Sequence, residues 1–280
     1  MAETKSTVTA ASTTAAKAGT SVQAKNSGNS ISWIAPVICL IVGVSFYAFV
    51  LGASSNFVNG KGANWMGRMH EGGPIVPILI TLLLTVIVFV IERFLTIGKA
   101  LGKGSIADFV RKVQYHLANK NVDAALQECD KQQGSVGNVM KAGLRKYKDM
   151  IGNSELDTEQ KVLTIQKEVE EATALELPML EKNLVFLSTI ASVATLIGLL
   201  GTVIGMITAF ASLGDSAGSS AANELAKGIS EALYNTALGI GTSAISIIMY
   251  NVFTTRIDSI TYGIDESGFT LTQSFASNYK

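Results

Sequence analysis

Charge is what this chain has least of. Asp, Glu, Lys and Arg make up 16% of its 280 residues, against about 25% in a typical soluble domain. The shortage is concentrated in a few long uncharged runs, which excludes an ordinary soluble globule and indicates a membrane protein. The 22 basic residues balance the 22 acidic ones, so no net positive charge draws nucleic acid and no nucleic-acid partner is expected. Cysteine is scarce as well. Cys39 falls in an apolar run and Cys129 in a polar segment, so a disulfide between them is not expected, and there is no metal-ligand spacing. The only histidines, His70 and His116, are isolated and read as loop or surface residues. A phosphate-binding glycine loop, a metal cluster and a grouped nucleophile, base and oxyanion donor are all missing. The chain is therefore not expected to be an enzyme or to need a cofactor.

What the chain does have is four long apolar runs, each matching the roughly 20 residues that cross a bilayer. Residues 1–30 are Ala, Ser, Thr, Gly and Lys, too poor in large apolar groups to form a core, and are expected to be a disordered tail. The first span is expected over 31–53, too long for the 7–15-residue core of a signal peptide. A glycine-rich loop follows over 54–73, with Trp65 and Met66 placed for an interface. The second span covers 74–98, with Pro74 and Pro77 in its first turn. Glu92 and Arg93, near its far end, are expected to mark the exit from hydrocarbon, with Arg93 snorkelling to headgroups. Residues 99–182 are polar, with two short amphipathic helices over 106–132 that join in a turn at Asn119 to Asn121. Helical patterns follow over 138–150 and 156–181, the last with Val162, Ile165, Val169, Thr173 and Leu177 at helical spacing and an expected kink at Pro178. The third span is 183–213, a loop 214–226, the fourth span 227–256, and a tail 257–280, although the fourth helix can run on toward Tyr262.

Segment 99–182 holds 13 Lys or Arg, against Lys61 and Arg68 in the first loop and none in the second. Basic residues stay cytoplasmic, so both termini and this segment are expected inside, with 54–73 and 214–226 periplasmic. The fold class expected is an all-α integral membrane protein with four transmembrane helices. A helical cytoplasmic domain and long helices leaving the membrane complete it.

The third and fourth spans are not plain anchors. In the third, Ser188, Ser192, Thr195, Gly198, Thr202 and Gly205 step by three or four residues and share a face. In the fourth, Glu231, Asn235, Thr242 and Ser246 form one stripe, with Thr236, Gly239 and Ser243 on the next. Small residues let helices approach and hydroxyls can bond across, so packing alone is one reading. Glu231 favours another. It is the single charge between Lys227 and Arg256, and a carboxylate at membrane depth costs about 2.5–3.5 kcal/mol on insertion scales. Such a group suits a proton path better than a structural role. A lone chain would turn this stripe toward lipid, so oligomerisation is expected.

The strings IASVATLIGLLGTVIGMITAF and GISEALYNTALGIGTSAISIIMYNVF, with EGGPIVPILITLLLTVIVFVIERF before them, resemble the MotA/TolQ/ExbB proton-channel family, most nearly its ExbB and TolQ branch. The resemblance runs over about 71–258. It implies a pentamer of this subunit around a dimer of an ExbD-like single-span partner, whose membrane Asp takes up and releases protons, and a TonB-like transducer driven by it. It implies that Thr202, Thr236 and Glu231 line the pore, and that the chain sits in a bacterial inner membrane as a multi-pass protein. Protons are expected rather than sodium ions. Three departures stand out: Thr195 where the family commonly has Pro, Asn235 where it often has a small residue, and the additional span 31–53, which places the amino terminus inside. Thr195 and Asn235 add polar groups beside the implied path. TolQ-like envelope work, a gliding motor and a non-conducting scaffold are the alternatives.

Overall fold

A computed structural model describes residues 28–58, 61–215 and 219–279. The tail expected over 1–30 lies outside the described residues up to 27. From Gly28 onward the chain is already helical.

The described residues are almost wholly helical. Helix α1 (Gly28–Ser45) passes into a π-helical turn, Phe46–Leu51. The segment after it is not an open loop. It holds a 3-10 turn, a two-residue ribbon of β1 (Phe57–Val58) and β2 (Lys61–Gly62), and α2 (Trp65–His70), forming a small cap. Asn56 organises the cap, because its buried side-chain amide donates to the carbonyls of Val50 (2.6 Å) and Leu51 (3.2 Å) and its Oδ1 accepts from Asn64. Asn64 in turn caps α2 by accepting from the Gly67 N–H, as Asn does at helix starts. His70 is not a free surface group: its ring stacks on Tyr47 at 4.5 Å.

Helix α3 (Val76–Ala100) returns through the apolar zone and leads into α4 (Ile106–Ala118), α5 (Val122–Gln132), α6 (Ser135–Ile151) and α7 (Thr158–Glu181). Local chemistry sets these boundaries. Lys120 takes a left-handed conformation between α4 and α5, and Asn121 caps α5 through the Ala124 N–H. Asp157 and Gln160 form a reciprocal capping box at the start of α7. Helices α8 (Leu184–Asp215) and α9 (Ser219–Asn278) then form a long antiparallel pair. Four stretches are long and apolar enough to cross a membrane: 33–51, 73–100, and parts of 158–212 and 221–278.

Three differences from the sequence reading have physical causes. Residues 257–280, expected as a tail, continue α9 to Asn278 without a break, making it 60 residues long, about 90 Å. Ile257, Ile260, Ile264, Leu271 and Phe275 are buried there in one core with Phe109 and Val113 of α4, Val139 and Leu144 of α6, and Ile165 of α7. The described residues of 54–73 form the folded cap. Pro178 sits inside α7, and the break falls instead at Lys182 and Asn183, where Asn183 has φ +66°.

Arg93 explains that break, and it does not snorkel. It is 2% exposed, and its Nη1 donates to the Met179 (3.3 Å) and Leu180 (3.0 Å) carbonyls, which the end of α7 leaves without helical partners. Its other nitrogens pair with Glu92, which also accepts from Asn183 and Thr96. Replacing Arg93 by Ala takes from Glu92 its ion-pair partner, leaving it the Asn183 and Thr96 bonds, and leaves two carbonyls without a donor. The expected loss is about 3–5 kcal/mol, the cost of breaking a buried pair, read as a lower melting temperature of the purified protein in detergent. Arg93→Lys is expected to fall between the two, because an ammonium cannot reproduce the forked geometry.

Cys39 and Cys129 are both free and buried. Burial pushes the Cys129 thiol up to about 12, so at neutral pH it stays protonated and a poor nucleophile. The folded protein is expected to take up almost no thiol reagent at pH 8, and two equivalents per chain once unfolded in detergent, as read by intact mass.

Candidate functional site

The α8–α9 seam is built on glycine. A Cβ added at Gly239 would meet the Ala194 carbonyl oxygen at 2.6 Å and the Gly198 Cα at 2.8 Å. One added at Gly205 would meet the Gly228 carbonyl oxygen at 2.8 Å, and one at Gly201 would meet Asn235. The two backbones therefore touch, the arrangement that small residues permit between apolar helices.

The hydroxyls of α9 are used inside this seam. Ser246 donates to the Leu187 carbonyl at 2.7 Å, Ser243 to that of Ala191, and Thr236 to those of Ala232 (3.2 Å) and Gly198 (3.4 Å). Asn235, Thr242 and Ser246 are 1%, 2% and 0% exposed. The stripe expected to face lipid in a lone chain is thus covered within one chain by α8 and α3, and the inference of oligomerisation from it does not hold. Two atoms in the stripe, Asn235 Oδ1 and Thr242 Oγ1, are buried without a hydrogen-bond partner.

The polar face of α8 divides. Gly198 and Gly205 are buried against α9, while Ser192 and Thr195 are exposed and Thr202 half-exposed. Thr202 bonds only to the Leu199 carbonyl of its own helix and lines an open groove with Val203, Met206 and Phe210. Helical geometry separates the two sets: Thr195 and Thr202 are seven residues apart and almost in line, and Gly198 lies about 60° around the helix from them.

Glu231 occupies a third position. It is half-buried near the start of the seam, and one carboxylate oxygen lies where a side chain on Gly73 would have to go. Lys227 is the charged group that acts on it, and its own charge acts in turn on Tyr47. One turn further along α9, Asn235 Nδ2 donates to the Gly72 carbonyl at 2.9 Å. The five residues singled out in the sequence therefore fall into two groups. Glu231, Asn235 and Thr236 gather where α9 meets α8 and the head of α3. Thr195 and Thr202 stand on the outer face of α8. Sequence reasoning missed Gly72, Gly73 and Tyr47. A Gly-Gly-Pro string before a span was the available signal for the first two, whereas Tyr47 carried none.

Residues 131–266, from the end of α5 into the lower part of α9, match the model of the MotA/TolQ/ExbB proton channel family. An ExbB-like 3 putative biopolymer transport protein of Synechocystis is 37% identical over 86 residues, 30% of this chain and 41% of that one. The Tol-Pal system protein TolQ of Haemophilus influenzae is 40% identical over 85 residues, 30% of this chain and 37% of its own. Biopolymer transport protein ExbB of Helicobacter pylori is 40% identical over 79 residues, 28% of this chain and 54% of its own. The chain thus spans only about half, or less, of the length of these relatives. Helices α1 to α4 and the cap lie outside the family match. Residues 131–266 are thus similar to the MotA/TolQ/ExbB proton channel family, and the relatives that the chain resembles there carry the names ExbB and TolQ.

Proposed function

We propose that this chain is the ExbB-like channel subunit of a proton-driven motor in a bacterial inner membrane. In this reading it works as a pentamer around an ExbD-like single-span dimer whose membrane Asp carries the proton. The motor passes the energy of the proton gradient to a TonB-type transducer for transport across the outer membrane. The observation that carries the reading is Glu231, the one charge between Lys227 and Arg256, half-buried where α9, α8 and the head of α3 meet. Thr202 and Thr195 offer hydroxyls along the outer face of α8, where a partner helix can reach them. Thr236 and Asn235 supply polar groups beside the carboxyl. The orientation follows from the basic residues of 99–182, which place that segment and both termini in the cytoplasm.

The similarity to TolQ of H. influenzae, 40% over 85 residues, favours a second reading: the same motor engaged in envelope maintenance rather than transport. The two differ in the transducer, and the same variants separate both from a non-conducting scaffold. Cells whose only copy carries Glu231→Gln or Thr202→Val are expected to lose at least about tenfold in TonB-dependent uptake, equivalent to ~1.4 kcal/mol, while native gels show an intact complex. Unchanged uptake with defective envelope integrity would assign the TolQ-like role. Both processes unchanged would make the seam packing alone.

A further inference from the structure

The additional span and Asn235 depart from the pattern of the resembled family, and in the structure the π-helical turn that ends the span, the cap behind it and Asn235 come to one place. The turn that ends the cap is Gly72–Gly73. Gly73 has φ +76°, a conformation that disfavours any side chain, and a Cβ there would overlap the Glu231 carboxylate oxygen. Conformation thus favours glycine at 73, and any side chain there would have to displace the Glu231 carboxylate from its place. One turn along α9 and on the same face, Asn235 is 1% exposed and donates to the Gly72 carbonyl at 2.9 Å. Helix α8 closes over it from the other side, since a Cβ on Gly201 would meet the Asn235 Cβ at 2.4 Å in this packing. Tyr234 and Leu238 of α9 pack against Leu51 of the π-helical turn, Met69 of the cap and Val76 and Ile80 of α3.

We propose that the Gly72–Gly73 turn and Asn235 form a latch that seats the Glu231 carboxyl against the head of α3, making the cap and the additional span part of the ion path's support. The significance for proton flow rests on the reading of Glu231 given above; the seating itself does not. Asn235 is the residue that a small side chain could not replace here, because its amide is what ties α9 to the turn. Its Oδ1, buried without a partner, leaves an acceptor one turn from the carboxyl, where a water on a proton path would need one. The π-helical turn completes the seat. Tyr47 donates to the His70 carbonyl at 3.1 Å and stacks on the His70 ring, holding the π-helical turn to the cap within reach of the Glu231 charge. The charged and titratable groups around the carboxyl are Lys227 on α9 and Tyr47 on the turn. Behind them lie His70 and Glu71, the latter occupied by the Gly62 N–H at 2.7 Å.

The test uses the full chain in native membranes, probed with a water-soluble carbodiimide and an amine, with coupling at Glu231 read by peptide mass spectrometry. Asn235→Ala and Gly73→Ala are expected to raise coupling about threefold or more, the lower end of measured couplings between contacting residues. Gly241→Ala, which adds a methyl into open space on the same helix, is expected to leave it unchanged. The shorter side chain of Glu231→Asp should relieve the clash, so the Gly73→Ala/Glu231→Asp pair is expected to conduct protons better than Gly73→Ala alone. If Gly73→Ala fails to assemble, Asn235→Ala and Asn235→Ser carry the test, since neither strains the backbone. Coupling within the range of the Gly241→Ala control in the assembled Asn235 variants would overturn the latch. Coupling that rises in the latch variants while Glu231→Gln conducts normally would uphold the latch and overturn the ion-path reading instead.

Discussion

The structure depends on how closely α8 and α9 approach. Lipid supplies no hydrophobic drive to join two apolar helices, so contact has to come from close packing and hydrogen bonds across the interface. Gly198, Gly201 and Gly205 on one side and Gly228 and Gly239 on the other bring the backbones together. Only at that separation can Ser243 and Ser246 reach carbonyls of the facing helix. The same closeness fixes which way every other residue of the two helices points. Glu231 and Asn235 are turned toward the head of α3, and Thr195 and Thr202 are left on the outside.

Helix α9 carries this arrangement well beyond the membrane. Its 60 residues exceed the roughly 30 Å hydrocarbon core about threefold, and its lower part is buried among α4, α6 and α7. One continuous helix therefore joins the Glu231 region to the core that α4, α6 and α7 share. Helix α7 joins the same bundle to α8, but through a break. Arg93 of α3 stabilises that break by bonding the carbonyls the helix end leaves open. A displacement of α8 or α9 relative to α3 would be transmitted along one path by a continuous rod and along the other through a hydrogen-bonded joint.

Much of the fold was legible in the sequence because it is governed by local periodicity and length. The apolar runs, the amphipathic faces of α4 and α7 and the turn at Asn121 all follow from residue spacing. The residues that were misread depend on distant partners. Arg93 reads as an interfacial residue until the α7 carbonyls, 86 positions away, are brought to it. Residues 257–280 look too polar for a core, yet one face of them carries Ile257, Ile260, Ile264, Leu271 and Phe275. Of the site, the residue types and the two helices were readable. What could not be read was the division of the polar residues between inner and outer faces, because the seam formed by Gly198 and Gly239 decides it. Equally hidden was the contact of Glu231 with Gly73, more than 150 positions earlier in the chain.

The division of the polar residues puts Thr242 and Ser246 inside the α8–α9 seam and Thr195 and Thr202 on the outer face of α8. It is tested most directly by the reactivity of single cysteines at 195, 202, 242 and 246 toward a charged, membrane-impermeant thiosulfonate in assembled complexes. The two native thiols are buried and leave the background low. The account predicts fast modification at 195 and 202 and almost none at 242 and 246. Equal rates at all four positions, or faster reaction at 242 and 246, would contradict it.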